Sequence, residues 1–208
     1  MLYDISRTIS PDIAVWPGDA PFSFEVISRR IGESGANLTT LRLSPHTGTH
    51  MDAPWHYDHA GEHPADVPLE PYIGPAQVVT IERQHGGIVP GDVAMYNLRQ
   101  ARRLLVHTWV SDVPDNQWPE DFPYLTVEFI DWLAALGVVL LGVDMPSVDR
   151  FGDLELPCHL RLHQHRIANL ESLSLKGVPD GGYELIALPL KVDGVCGSPV
   201  RAILRAPR

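Results

Sequence analysis

A mixed α/β domain rich in strands and poor in helices is the fold class the sequence predicts. Three observations lead there. Short alternating or continuously apolar stretches recur along the chain, and only two stretches carry helical spacing. The 17 glycines and 19 prolines are scattered rather than gathered into a linker. A chain of 208 residues, 44% of them hydrophobic, suffices for a full core, and one domain over 1–208 is expected.

The elements follow in order. Leu2 to Ser6 reads as a short opening strand. Phe22 to Val26 alternates between apolar and polar, and Asn37 to Ser44 does so in part, as half-buried strands do. Ala76 to Glu82 and Arg103 to His107 read as buried strands between turn residues. Val127 to Leu136 is the clearest helix: Thr126 can cap it, Glu128 suits its positive first turn, and Gly137 ends it. Val127, Ile130, Leu133 and Ala134 give it one apolar face. The continuously apolar Gly137 to Val143 then reads as a parallel strand covered on both sides, so Leu104 to Val143 forms one strand–helix–strand crossover. A second helix is expected from Pro157 to about Leu170. Tyr183 to Val192 and Pro199 to Leu204 close the chain as strands.

Acidic residues outnumber basic ones by 26 to 16, which argues against nucleic acid or an anionic membrane as a partner. The longest apolar run, Leu133 to Val143, falls short of the roughly 18 residues of a membrane span. Met1-Leu-Tyr-Asp4 lacks a basic region followed by an apolar one, so a cytoplasmic location is expected. Cys158 and Cys196 are too few for a disulfide scaffold or a zinc site built of thiolates.

The ten histidines are unevenly spread, five of them between His46 and His63 and three between His159 and His165. Exposed or core histidines are the commoner outcome of such a composition, so spacing must decide. In Pro45 to His56, Gly48 and Pro54 argue against a helix, so His46 and His50 are not the two ligands of a helical face. In an extended segment His50 and Asp52 share a face; His46 has the same parity as Asp52, but Gly48 can bend the chain between them. Two imidazoles and a carboxylate suit zinc or manganese, and three protein ligands leave a position open for water. His159 and His163, four apart, could share a helical face, with Glu171 reaching in from the helix end. Taken alone they read as a solvated face; joined to the first cluster they supply its missing donors. His59, His63, His85, His107 and His165 are expected to be structural or exposed, and Cys158 is not expected to be a nucleophile.

The pattern His46-x-Gly48-Thr49-His50-x-Asp52-x-Pro54-x-His56 resembles the defining motif of the cyclase-type metal-dependent hydrolases, and within them the bacterial kynurenine formamidases, or arylformamidases. Asp4-Ile-Ser6, Val15-Trp-Pro-Gly-Asp19, Asp52-Ala-Pro-Trp-His-Tyr57, Glu184 to Leu190 and Ser198 to Leu204 are similar too, so the resemblance spans nearly the whole chain. It implies a swivelling β/β/α fold, a homodimer, and a site of two divalent metal ions, zinc or alternatively manganese. His46, His50 and Asp52 would hold the first ion, with Asp52 bridging. His159 would bind the second ion, and Glu171 would touch both. His56 would transfer protons and Trp16 would line the substrate pocket. The implied reaction is hydrolysis of N-formyl-L-kynurenine, a small aromatic amide, to L-kynurenine and formate.

This chain departs from the family pattern at Asp149-Arg-Phe-Gly-Asp153, where Asp-Pro-Gln-Asp-Ser is usual, and at Leu160, where a second histidine is frequent. The metal ligands are unaffected, while substrate contacts in that loop differ. Two other readings stay open: hydrolysis of another aryl or cyclic amide of the isatin type, and metal-dependent binding of a small molecule without turnover.

Overall fold

The computed structural model describes residues 1–30, 35–96, 98 and 102–207. In chain order the strands are β1 (Leu2–Asp4), β2 (Ser23–Ser28), β3 (Leu38–Arg42), β4 (His50–Asp52), β5 (Ile73–Thr80), β6 (Gly87–Ile88), β7 (Arg103–His107) and β8 (Tyr124–Leu125). Helix α1 (Val127–Ala135), β9 (Leu140–Val143), α2 (Pro157–Gln164), β10 (Ala168–Leu170), β11 (Gly181–Ile186), β12 (Gly197–Pro199) and β13 (Ile203–Arg205) follow. Strands thus dominate an α/β fold with two α-helices among the described residues, as the sequence predicts.

Seven strands form the central sheet in the order β1-β13-β11-β5-β7-β9-β10. Its first half is antiparallel, and β5, β7, β9 and β10 run parallel. The expected crossover is present: α1 carries the chain from β7 to its parallel neighbour β9. Side chains alternate across these strands. Leu104 and Val106 of β7 and Leu141 and Val143 of β9 join one core, beneath Phe129, Ile130 and Leu133 of α1 and Leu162 of α2. Leu105 and Leu140 face a second core containing Met51, Leu170, Leu173 and Leu185. Residues of β7 and β9 are buried on both faces, which explains why their sequences read as unbroken apolar runs. Thr126 caps α1 by accepting from Phe129 N at 3.2 Å.

Three expectations are corrected. The second helix stops at Gln164, and Ala168–Leu170 becomes a strand parallel to β9; apolar Ile167 and Leu170 gain more from burial in the two cores than from two further helical turns. The alternating stretches near residues 24 and 41 do form strands, but they pair only with each other and are exposed throughout. Their pattern is that of a half-buried strand, yet the ribbon packs on neither core. Finally, the closing strands are shorter than expected: β11 ends at Ile186, and residues 197–205 divide into β12 and β13, which belong to different sheets.

Candidate active site

Strand β4 is the foundation of the site. It pairs with β12 on one side, and on the other His50 exchanges two backbone hydrogen bonds with Glu171, at 3.2 and 3.0 Å. Met51 points into the core with no exposed surface, so His50 and Asp52 face the opposite way together. Gly48 adopts φ +66°, and a Cβ there would come within 3.2 Å of Ile9, so only glycine turns the chain here without strain. That turn brings His46 back over β4, with Nδ1 2.8 Å from Asp52 Oδ1.

The second cluster converges on the same point. His159, in the first turn of α2, sets Nε2 3.1 Å from Asp52 Oδ2 and 3.2 Å from Glu171 Oε1. His50 Nε2 lies 3.4 Å from Asp52 Oδ1 and 3.5 Å from Glu171 Oε2. Glu171 is delivered by the end of β10 and its pairing with His50 rather than by a helix end. Leu156 (φ 48°) and Ser172 (φ 54°), both left-handed, lie near these two ligand positions. Among the described residues, His46, His50 and Asp52 form one group able to hold a metal ion, and Asp52, His159 and Glu171 form another. Asp52 belongs to both.

The donors suit divalent cations. Two ligands each about 2.1 Å from one tetrahedral ion stand roughly 3.4 Å apart, close to the separations here. Asp52 Oδ1 is fully buried, and its near neighbour is an imidazole nitrogen of His46 at 2.8 Å. The outward ring nitrogens are already ordered: His50 Nδ1 donates to Gly48 O (2.8 Å), and His159 Nδ1 to Asp149 (2.6 Å), leaving each Nε2 directed inward. Asn169 donates to Asp52 Oδ2 at 2.7 Å, and Val148 N to Glu171 Oε1 at 3.0 Å.

Electrostatics agree. Burial alone would lower the histidine pKa values, but Asp52 raises His46 to about 10 and, with Glu171, raises His50 to about 9. His159 is likewise raised against the pull of burial, by Asp149, Asp52 and Glu171. Burial works against ionisation of Asp52 and Glu171, yet the imidazoles keep both lowered. Two buried carboxylates therefore demand positive charge, which protons or cations can supply.

His56 ends a short helical turn after β4, its ring centred 4.3 Å from that of His46 and 6.0 Å from that of His159. A cavity of about 430 Å³ opens here, lined by His46, His50, His56, His159 and Glu171 at its floor and by Trp16, Trp118 and Phe151 on its wall. Trp16 lies 5.4 Å from Trp118 and 5.2 Å from Phe151, ring centre to ring centre.

The family described as "Putative cyclase" matches residues 3–150. A kynurenine formamidase of Salinibacter ruber is 44% identical over 205 residues, covering 98% of this chain and 97% of that protein. The chain belongs to this cyclase family. A solved structure described as a potential metal-dependent hydrolase with cyclase activity superposes with a TM-score of 0.86 at 25% identity, over 100% of this chain and 99% of that one. Isatin hydrolase A from Ralstonia solanacearum gives a TM-score of 0.81 at 26% identity, over 98% and 91%.

The structure brings His46, His50, His56, His159, Glu171 and Trp16 around one cavity, with Asp52 buried against His46, His50 and His159. His163 stays outside, 3.3 Å from Asp58, and His85 and His165 pair with Asp121 and Asp131. Buried Cys158 donates to Leu125 O, and burial pushes its thiol up. Sequence reasoning missed Trp118, Phe151, Asp149, Asn169 and Cys196. Phe151 and Asp149 lie in the segment that departs from the family pattern; the other three carried no local signal. The Cys196 thiol is 3.1 Å from His46 Nε2, and hydrogen bonds with His46 and His56 lower its pKa to about 6.

Proposed function

We propose that the protein hydrolyses N-formyl-L-kynurenine to L-kynurenine and formate. The observation that carries this reading is the convergence of three imidazoles and two carboxylates beneath an aromatic-walled cavity. The near full-length relative named for this activity supports it. An amide resists hydrolysis because its carbonyl is weakly electrophilic and its amine leaves poorly. A pair of divalent cations, zinc or alternatively manganese, would polarise the carbonyl and lower the pKa of water. His46, His50 and Asp52 would hold one ion and His159 the other, with Asp52 and Glu171 serving both.

The remaining chemistry falls to the chain. His56 accepts a proton from the attacking water as its oxygen bonds to the formyl carbon, and returns it to the aniline nitrogen as the C–N bond breaks. Trp16, Trp118 and Phe151 offer flat apolar faces that seat the aryl ring and exclude water from the floor. The exposed apolar residues Phe24, Ile27 and Leu41 of the β2–β3 ribbon support a homodimer. Among the described residues no helix is long and apolar enough to cross a membrane, and a cytoplasmic location is part of this reading.

The second reading is ring opening of an isatin-type cyclic amide, favoured by the likeness to isatin hydrolase A. Incubating the metal-quantified protein separately with N-formylkynurenine and isatin decides between them. Release of formate and free arylamine from the first, well ahead of isatin turnover, is the expected result. Faster turnover of isatin overturns the formamidase reading, and calorimetric binding without product overturns both in favour of a binding module.

A further inference from the structure

Outside the buried ligands lies another set of donors. His46, His56 and Cys196 each offer a ligand atom within 4.8 Å of the others. The same ring faces both sets: His46 turns Nδ1 to Asp52 at 2.8 Å and Nε2 to Cys196 Sγ at 3.1 Å. Backbone pairing holds the group together. Ala53 N donates to Cys196 O at 3.0 Å, His56 N donates to Ala53 O at 2.8 Å, and Gly197 pairs with Asp52. Gly197 also leaves room for the ring, since a Cβ there would stand 3.1 Å from His46 Cε1.

This outer set differs in chemistry and access from the inner one. It contains a sulfur donor and no carboxylate, a combination that favours zinc over manganese or magnesium. His50, Asp52, His159 and Glu171 are each 3% exposed, whereas His46 and Cys196 are partly exposed and His56 is open to solvent. Ions from solution therefore reach the outer donors freely.

We propose that His46 Nε2, His56 and Cys196 form an additional, zinc-selective cation site on the more exposed side of His46, and that zinc bound there inhibits turnover. Binding displaces the Cys196 thiol proton and any proton on His46 Nε2 to solvent, and no bond other than the coordination bonds is made or broken. Inhibition follows because the His56 nitrogen, once bound to zinc, no longer carries a proton between water and the leaving amine. That consequence rests on the proposed role of His56; the site itself does not.

Cobalt(II) titration of the full chain tests the site, because thiolate–cobalt coordination gives a near-ultraviolet charge-transfer band. The band is expected in the unsubstituted protein and in Asp52→Asn, and is lost in Cys196→Ser and reduced in His56→Ala. Its absence from the folded unsubstituted protein overturns the proposal. So does its persistence in Cys196→Ser, or its loss in Asp52→Asn with retention in His56→Ala, which would assign Cys196 to the inner site. Zinc inhibition of formamide hydrolysis supplies the second measurement: Cys196→Ser should need roughly tenfold more zinc, or higher, for half-inhibition, and an unchanged value overturns the inhibitory role. A charge-transfer band without formamide hydrolysis under any metal condition refutes the function but leaves the site standing; hydrolysis without a band does the reverse.

Discussion

Replacing Asp149 by alanine should loosen both a helix and a metal ligand. Its carboxylate accepts from Cys158 N at 2.7 Å and His159 N at 3.1 Å, amides of the first turn of α2, and from His159 Nδ1 at 2.6 Å. Leu156, the residue at the cap position, makes no side-chain cap of its own, so Asp149 caps this helix from outside. Losing a cap costs about 0.5–2 kcal/mol, and leaving a buried donor unpaired adds about 1–3 kcal/mol. The metal-free Asp149→Ala chain should therefore lose roughly 2–4 kcal/mol of stability. The freed imidazole can also turn, or move its proton to the Nε2 that faces Asp52 and Glu171, which should weaken metal affinity about 10–100-fold. Denaturant unfolding of the metal-free protein measures the first effect, and competition with a chelator measures the second. Asp149→Asn keeps one acceptor oxygen and should fall between the two. Burial works to raise the Asp149 pKa, but His159 holds it below the ordinary carboxylate value. Its stabilising contribution is thus fully present above about pH 4 and is lost as pH falls through the lower native value, an acid limb that Asp149→Asn should flatten. If the alanine variant unfolds at the same denaturant concentration and holds metal as tightly, the account of Asp149 is wrong.

Further outcomes follow from the same geometry. His56→Ala, supplied with no excess zinc, should retain the ions held by the inner ligands by elemental analysis while turnover, followed by formate release, drops about 10²–10⁴-fold. Asp52→Ala removes the carboxylate common to both ligand groups and should bind less metal and lose turnover; full activity in a metal-free sample of that variant would end the metal-dependent mechanism. Phe151 is 48% exposed and Trp16 contacts it, so Phe151→Ala should weaken arene binding by about 1 kcal/mol. This would be read as a several-fold rise in KM with a smaller change in kcat. Gly142→Ala in β9 would place a Cβ 2.5 Å from Leu105 Cδ2 and 2.8 Å from Leu173 Cδ1; thermal unfolding should show a loss of about 1–3 kcal/mol.

Legibility of the sequence varied with the range of the interactions involved. Thr126, Glu128 and Gly137 bound α1 through contacts within a few residues, and the structure places α1 within a residue of the expected limits. The doubly buried β7 and β9 were equally plain, because burial on both faces leaves no polar alternation to misread. The β2–β3 ribbon was misjudged in burial because alternation records which face is apolar, not whether anything packs against it. Glu171 was expected at a helix end, but it sits beside His50 because residues 168–170 join the edge of the sheet.

Local chemistry in the chain thus determined the class of fold, the helix and buried strands, and the run of donors from His46 to His56, since propensity, period and turn chemistry act over a few residues. Only tertiary structure decided that His159 and Glu171 close around Asp52, that Asp149 and Asn169 hold the ligands in place, that Trp118 and Phe151 border the cavity, and that Cys196 meets His46. The pairings of His50 with Glu171 and of Asp52 with Gly197 join segments more than a hundred residues apart, and no local pattern records a contact of that range.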